Sequence, residues 1–166
     1  MQTICRLIRL SPSAASSVVA TPGSLSACVD SAAIYSDVYR YWHAIEYLLA
    51  RHRPGSAVAR WLTLGTAVSP ANDSIPAARV LSPTQIQQLN GDLRGIRPED
   101  LAEHYDAGAL DAAQVYPSTW LEWEETFDPL GQVLEHYSFL QQFTSQCAKA
   151  NAALLVHFEE LAEGSV

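Results

Sequence analysis

The chain has 166 residues, of which 48% are apolar, and a formal net charge of -8. This length is typical of one domain with a substantial hydrophobic core. Because the net charge is negative, nucleic acid and anionic membranes are disfavoured as partners.

The first third of the chain predicts a strand, a weakly patterned segment and a helix. Thr3–Leu10 alternates between apolar and polar residues, as a strand does, and the following Ser-Pro pair ends it. Residues 13–33 are rich in Ser and Ala and predict a short helix plus loop. From Ser36 the apolar residues recur at helical spacing, so a helix is predicted that stops at Pro54-Gly55.

Two further helix starts can be read from their capping residues. Ser82–Gln85 supplies an N-cap, a first-turn proline and a glutamine three residues on, which predicts a helix. Asp128-Pro129 predicts a second, long helix that ends near Asn151. Residues 152–158 form a short apolar run, which favours a buried last strand. Residues 57–64 are predicted to form a short helix or a strand, and residues 69–76 a loop. Residues 98–105 are predicted to form a short helix, and residues 108–115 one or two helical turns.

Five stretches carry a family resemblance. They read ICRLIRLSP, YWHAIEYLL, AARVLSPTQI, YDAGALDAAQVYPSTW and ANAALLVHF. Their order resembles the YfbM-like family of small bacterial proteins of unknown function, from Met1 to Phe158. The resemblance implies one YfbM-like α+β domain over residues 1–166: a compact fold whose small sheet includes the N- and C-terminal strands, with helices packed on it. It implies no established reaction.

The sequence also departs from the family pattern. Many members carry a second histidine three residues after the position of His43, where this chain has Glu46. Residues three apart on a helix are neighbours, so His43 and Glu46 could bind a metal or relay a proton, or could be only a half-buried polar pair. No companion motif supplies a third metal ligand. The sequence therefore predicts no metal site and no cofactor.

A small-ligand pocket is one candidate site. The aromatic residues around Tyr116 could line a pocket and a carboxylate could orient its ligand, although rings of this size also serve to anchor a turn in the core. The predicted pocket residues are Trp42, His43, Glu46, Tyr105, Asp106 and Tyr116.

An acidic and aromatic run, TWLEWEETFDPL at residues 119–130, is the other candidate site. On a helix, Trp120, Trp123 and Phe127 share one face and the carboxylates point away from it. Such a run can bind a basic partner through aromatic anchors and steering charges, or can be a solvated helix start. The predicted partner-binding residues are Trp120, Glu122, Trp123, Glu124, Glu125 and Asp128.

Negative charge is concentrated in the same part of the chain. Residues 1–60 contain six arginines against three carboxylates, whereas residues 61–166 contain four basic residues against fifteen acidic ones. A basic protein is therefore a more natural partner of this segment than nucleic acid or a membrane. The alternative is that the acidity only improves solubility.

No catalytic residues are predicted. Cys5, Cys28 and Cys147 are odd in number and lack metal-binding or disulfide spacing, so free thiols in a reducing cytoplasm are expected. Cys147 falls on an apolar helical stripe, where a buried thiol is inert. The sequence shows no signal peptide and no apolar run of membrane-spanning length. A cytoplasmic protein is expected.

The leading hypothesis is a non-catalytic acidic binding protein that captures a basic protein partner. Its most specific form is an immunity protein that neutralises a cognate bacterial toxin such as a nuclease. The alternative is a small-molecule-binding protein or enzyme with a pocket near His43 and residues 105–120. A scaffold with neither site is the third possibility.

Overall fold

The computed structural model describes residues 2–72 and 75–162. Its strands are β1 Gln2–Leu10, β2 Tyr35–Tyr39, β3 Thr66–Ala67, β4 Arg79–Leu81 and β5 Ala153–Leu161. They form one sheet in the order β2-β1-β5-β4-β3, and each neighbouring pair is antiparallel. The centre of the sheet is the β1–β5 pair, whose register runs from Gln2 opposite Leu161 to Leu10 opposite Ala153.

Helices cover both faces of this sheet. They are α1 Pro12–Ala20, α2 Leu25–Asp30, α3 Trp42–His52, α4 Pro83–Arg94, α5 Pro98–Ala102, α6 Ala107–Ala112, α7 Trp120–Glu124 and α8 Pro129–Lys149. Two segments, Pro22–Ser24 and Val58–Thr63, are 3-10 helices. The chain is thus a single compact α+β domain, as predicted.

Strand alternation divides the interior into two cores. Leu154 and Val156 of β5 belong to the larger core with α3, α4 and α8, whereas Ala153 and Leu155 belong to the smaller core with α1. Successive strand residues point to opposite faces, so one apolar strand serves both cores. This explains why residues 152–158 read as a continuous apolar run in the sequence.

The predicted capping residues start their helices as expected. The Ser82 hydroxyl accepts the Gln85 N–H at 3.3 Å, and the Gln85 side-chain oxygen accepts the Ser82 N–H at 2.9 Å. Asp128 accepts the Gly131 N–H at 2.8 Å and caps α8. Each cap satisfies an amide that has no partner within its helix.

The predicted helix start at Ser36 is wrong. Residues 35–39 form the edge strand β2, and α3 begins only at Trp42. Asp37 of β2 pairs with Arg6 of β1, whose Nε lies 2.8 Å from the carboxylate. Contacts across the sheet therefore decide the conformation of a stretch whose apolar spacing also fits a helix. Residues 57–64, left open between helix and strand, contain the 3-10 helix at 58–63.

Gly65 sets the close approach of β3 to β4. Its φ is +78°, and a Cβ atom at this position would overlap the carbonyl oxygen of Val80. Only glycine tolerates both conditions. The turn leaves the Gly65 carbonyl oxygen 3.0 Å from a guanidinium nitrogen of Arg79, so it also helps to position that arginine.

Candidate functional site

A cleft of about 870 Å³ opens at the end of the sheet where β1 begins and β5 ends. Thr3 of β1 and Glu160 of β5, which are directly paired, line it together with Arg79 of β4. The walls come from the start of α3, the end of the 3-10 helix at 58–63, residues 71–72 and 75–77, and the side chains of Gln114, Tyr116 and Ser118. Small-molecule sites typically measure about 300–1,000 Å³, so this space is of ligand size.

Three stacked aromatic rings form one wall of the cleft. The Trp42 ring centre lies 5.2 Å from that of His43 and 5.5 Å from that of Tyr116, with interplanar angles of 7° and 18°. The Trp42 indole N–H donates to the Thr3 carbonyl oxygen at 3.3 Å, and the Thr3 N–H donates to the Tyr116 hydroxyl at 2.7 Å. These two hydrogen bonds attach the stack to β1.

His43 is a neutral hydrogen-bond donor in this wall. Its Nδ1 accepts the backbone N–H of Tyr116 at 3.0 Å, which assigns the ring proton to Nε2. Burial lowers the pKa of His43, so the ring is uncharged at neutral pH. In the part of the chain that the structure describes, no hydrogen bond or ion pair joins His43 to Glu46.

Glu46 lies one helical turn further along α3 and is half-buried. Burial raises the pKa of its carboxyl group from 4.5 to about 7, against a smaller opposing effect of the Leu62 backbone amide. No basic side chain pairs with it among residues 2–72 and 75–162. Near neutral pH this group therefore both donates and accepts hydrogen bonds. A carboxyl group with a raised pKa in a cleft is a recognised sign of a functional site.

Arg79 brings a positive charge to the cleft. One of its terminal nitrogens donates to Gly65, and no carboxylate of the described residues forms an ion pair with it. Guanidinium has five N–H donors, so four remain for other partners. Arg79 has no nitrogen that is both buried and unbonded, and its remaining donors are therefore accessible.

Four of the six predicted pocket residues line the cleft: Trp42, His43, Glu46 and Tyr116. The prediction is wrong for Tyr105 and Asp106. The Tyr105 ring packs edge-on against Trp120 at 6.5 Å, and burial together with the nearby Glu124 carboxylate raises the pKa of its hydroxyl group. Asp106 caps α6 by accepting the Ala109 N–H at 2.7 Å. Nearness in sequence to Tyr116 does not bring these two side chains to its cleft.

Three cleft residues, Arg79, Thr3 and Glu160, are not among the residues predicted from the sequence. Each lies on a different strand, and strand order and register bring them to one end of the sheet. A signal was present for Thr3, which belongs to the strand predicted over Thr3–Leu10, whereas Glu160 lies two residues beyond the last strand predicted at 152–158. Their register cannot be obtained from either segment alone.

The acidic run begins with α7, which is capped from another helix. Both oxygens of the Asp111 carboxylate accept backbone N–H groups, from Trp120 at 2.8 Å and Leu121 at 3.0 Å. The Trp120 indole N–H donates to the Val115 carbonyl oxygen at 2.8 Å, and the side chain is 0% exposed. The prediction of Trp120 as a partner-binding residue is therefore wrong, because the ring is sealed in the core.

The other two rings of the run enclose an arginine. The Arg40 guanidinium carbon lies 4.2 Å from the ring centre of Trp123 and 5.9 Å from that of Phe127. The rings of Tyr39 and Tyr41 are each 5.6 Å from the same carbon. These cation–π contacts use the aromatic faces within the protein. Trp123 is half-buried as a result and presents little free surface to a partner.

The carboxylates of the run do point outward, as predicted. Glu122, Glu124, Glu125 and Asp128 are exposed. The exposed large apolar residue among them is Leu121, which the sequence analysis did not select and which is 54% exposed. The surface of the run is therefore four carboxylates around one leucine.

The geometry gives little support for a metal-binding site or for a reactive thiol. Within 2–72 and 75–162, no three His, Cys, Asp or Glu side chains are placed to hold a metal ion. Cys5 and Cys147 are buried thiols, and burial raises the pKa of Cys147 to about 11. A thiol of this kind is protonated and a poor nucleophile at neutral pH. Over the same residues, no helix is long and apolar enough to cross a membrane.

Comparisons with known proteins identify relatives of unknown function. The profile of the family described as "Domain of unknown function (DUF1877)" matches residues 1–157. A solved structure of YfbM from Escherichia coli, also a protein of unknown function, superposes with a TM-score of 0.71. The match covers 92% of this chain and 98% of that one at 10% sequence identity, so it shows the fold alone. No curated protein matches. The predicted resemblance to the YfbM-like family is confirmed.

Proposed function

The chain belongs to the DUF1877 family, whose function is not known, and from this premise we propose that it binds a small organic ligand in the cleft. The observation that carries the proposal is the half-buried, unpaired Glu46 carboxyl group in a ligand-sized space beside the Trp42 ring stack. Apolar walls with a few polar groups are typical of small-molecule sites.

We propose binding without catalysis. A proton relay needs its members within hydrogen-bond reach, and the Nδ1 atom of His43 is already bonded to Tyr116 and not to Glu46. The two groups that first suggested a reactive pair instead act on a ligand separately: His43 as a donor, and Glu46 as a donor or an acceptor.

The test is a fragment screen by NMR with neutral, cationic and anionic ring compounds. Fragments that enter the cleft should shift the Trp42 indole N–H resonance, because that group lies in the wall. Substituting Ala77→Trp places a large ring in the cleft and should abolish these shifts. The matched control is Ala20→Trp, at the exposed end of α1 on the other face of the sheet. Fragments that bind A77W as well as the wild type would reject the proposal.

A second candidate function is capture of a basic protein by the acidic run, with an immunity protein against a bacterial toxin as its specific form. The supporting observation is Leu121, 54% exposed among Glu122, Glu124 and Glu125. Interfaces often combine an apolar anchor with a charged rim that steers the partner. The proposed location is a reducing cytoplasm, which three free cysteines support, and no nucleic-acid or membrane partner is proposed.

The test of this candidate is affinity capture from host lysate, followed by binding with the purified partner. The variant is E122K/E124K/E125K, and the control E99K/E103K/E135K makes the same charge change at other exposed carboxylates. We expect one basic protein to be retained by the wild type and the control and lost by the variant. Toxicity of that protein alone, relieved by co-expression, would identify an immunity protein. Equal retention by both triple variants would reject the acidic run as the binding surface.

A further inference from the structure

We infer that the ligand of the cleft carries an oxyanion, a carboxylate or a phosphate, and that Arg79 binds it. This inference rests on the proposed small-ligand function and adds the chemical class of the ligand. It also assigns a binding role to a residue that neither the family profile nor the structural relative identifies.

Arg79 carries a charge that no carboxylate of the described residues balances. The side chain is half-buried, and its hydrogen bond within the described chain goes to a neutral carbonyl oxygen, that of Gly65. Of the two half-buried arginines on β1, Arg6 pairs with Asp37 at 2.8 Å and Glu159 at 3.0 Å, whereas Arg9, outside the cleft, forms no ion pair within the described residues. Withdrawing a charge from water is costly unless a counter-charge is supplied. A bound anion supplies it.

The geometry of the guanidinium group limits which kinds of anion it binds well. Its planar fork of N–H donors matches the two oxygens of a carboxylate or of a phosphate, and such charge-assisted pairs are short and strong. The hydrogen bond to the Gly65 carbonyl oxygen fixes one terminal nitrogen of the guanidinium group and so orients its other N–H donors. Because no other terminal donor is bonded within the described residues, the site is prepared for an acceptor with two oxygens.

The rest of the cleft suits the neutral part of the same ligand. Tyr116 and the stack behind it offer a flat aromatic surface to a ring, and the His43 Nε2–H supplies a donor. Two carboxyl groups also face the space. Burial raises the pKa of Glu46 to about 7, so this group is about half protonated at pH 7, and Glu160 lies exposed at the end of β5, where water screens its charge. Neither forms an ion pair with Arg79.

Three simple probes test the inference by NMR titration: benzoate, phenyl phosphate, and benzamide as the neutral analogue of benzoate. For compounds of this size we expect dissociation constants of about 1–10 mM. In the wild type, benzoate or phenyl phosphate should shift the Trp42 indole N–H resonance and bind about tenfold more tightly than benzamide, because of the charge-assisted bonds. The better of the two anions identifies the carboxylate or the phosphate.

Two variants and a control complete the experiment. Arg79→Gln should weaken the anion about tenfold and leave benzamide unchanged, and Arg79→Lys should give an intermediate value because it keeps the charge and loses the fork. Arg94→Gln makes the same charge change at an exposed site outside the cleft and should bind like the wild type. R79K serves as the test if R79Q does not fold.

Two results overturn the inference. One is benzamide binding as tightly as the anions, and the other is an anion affinity that is unchanged in folded R79Q or R79K. After either result the small-ligand proposal stands if neutral fragments still shift the Trp42 indole N–H resonance in the wild type and no longer shift it in A77W. Failure of every probe and every fragment rejects both.

Discussion

Replacing Trp120 with alanine is expected to lower the free energy of unfolding by about 3–5 kcal/mol. The side chain is fully buried, and its ring lies 5.2 Å from Trp123 and 6.5 Å from Tyr41. Truncation leaves a cavity, and it also removes one of the hydrogen bonds to the Val115 carbonyl oxygen, which accepts the Trp120 indole N–H and the Ser118 N–H, both at 2.8 Å. Since domains of this size are stable by roughly 5–15 kcal/mol, the loss is a large fraction of the total.

Leu121→Ala is the matched control for this change. It shortens the next side chain, which is 54% exposed, and should alter the free energy of unfolding by less than about 1 kcal/mol. Urea denaturation followed by circular dichroism at pH 7 measures both variants. Similar losses for the two would contradict the burial of Trp120. The same two variants separate the structural role of Trp120 from the proposed binding role of Leu121. L121A should weaken capture of a basic protein without unfolding the chain.

Replacing Glu46 with glutamine is expected to stabilise the protein above pH 7 and to change its stability little below about pH 4.5. In the unfolded chain the carboxyl group loses its proton near pH 4.5, whereas in the folded chain it keeps the proton until about pH 7. The folded state therefore binds more protons between these values, and the free energy of unfolding falls as pH rises through this window. Allowing for solvent screening of a half-buried group, the full effect is about 1–3 kcal/mol.

The measurement is the difference in free energy of unfolding between wild type and E46Q from pH 4 to pH 8. The difference should grow from pH 4.5 to pH 7 and then stay constant. Glu122→Gln removes an exposed carboxylate and serves as the control. A difference that does not depend on pH would mean that Glu46 is ionised throughout, as a solvated carboxylate is. The stabilised variant should also lose ligands that bind through this carboxyl group, which is a common cost of a functional charge.

Local signals predicted much of this fold correctly. The helices that begin after Ser82 and Asp128 were assigned from side chains that satisfy amides within three residues of them. The resemblance also implied the pairing of the terminal strands correctly. The edge strand at Tyr35–Tyr39 was mistaken for the start of a helix because its neighbour is Arg6, far away in sequence. The short strands at 66–67 and 79–81 hold too few residues to show a period.

Site residues, too, could be predicted from the sequence only where their positions depend on local spacing. Residues on one helix, such as His43 and Glu46, could be assigned to the cleft because helical spacing fixes their relation. Arg79 could not, because its place depends on the order of the strands. Trp120 was assigned to a surface because its neighbours in sequence are acidic, whereas the capping of α7 by Asp111 turns its ring inward.

The central strand pair has a consequence for how the protein is made. All nine residues of β1 pair with residues of β5, which lie about 150 positions later in the chain. During synthesis, β1 and its apolar side chains therefore leave the ribosome long before their main neighbour exists. Closing so large a loop is slow, and an apolar strand whose second edge is still open invites association with other chains. A nascent chain stopped before residue 153 should be a substrate for chaperones, whereas the released chain can complete its sheet.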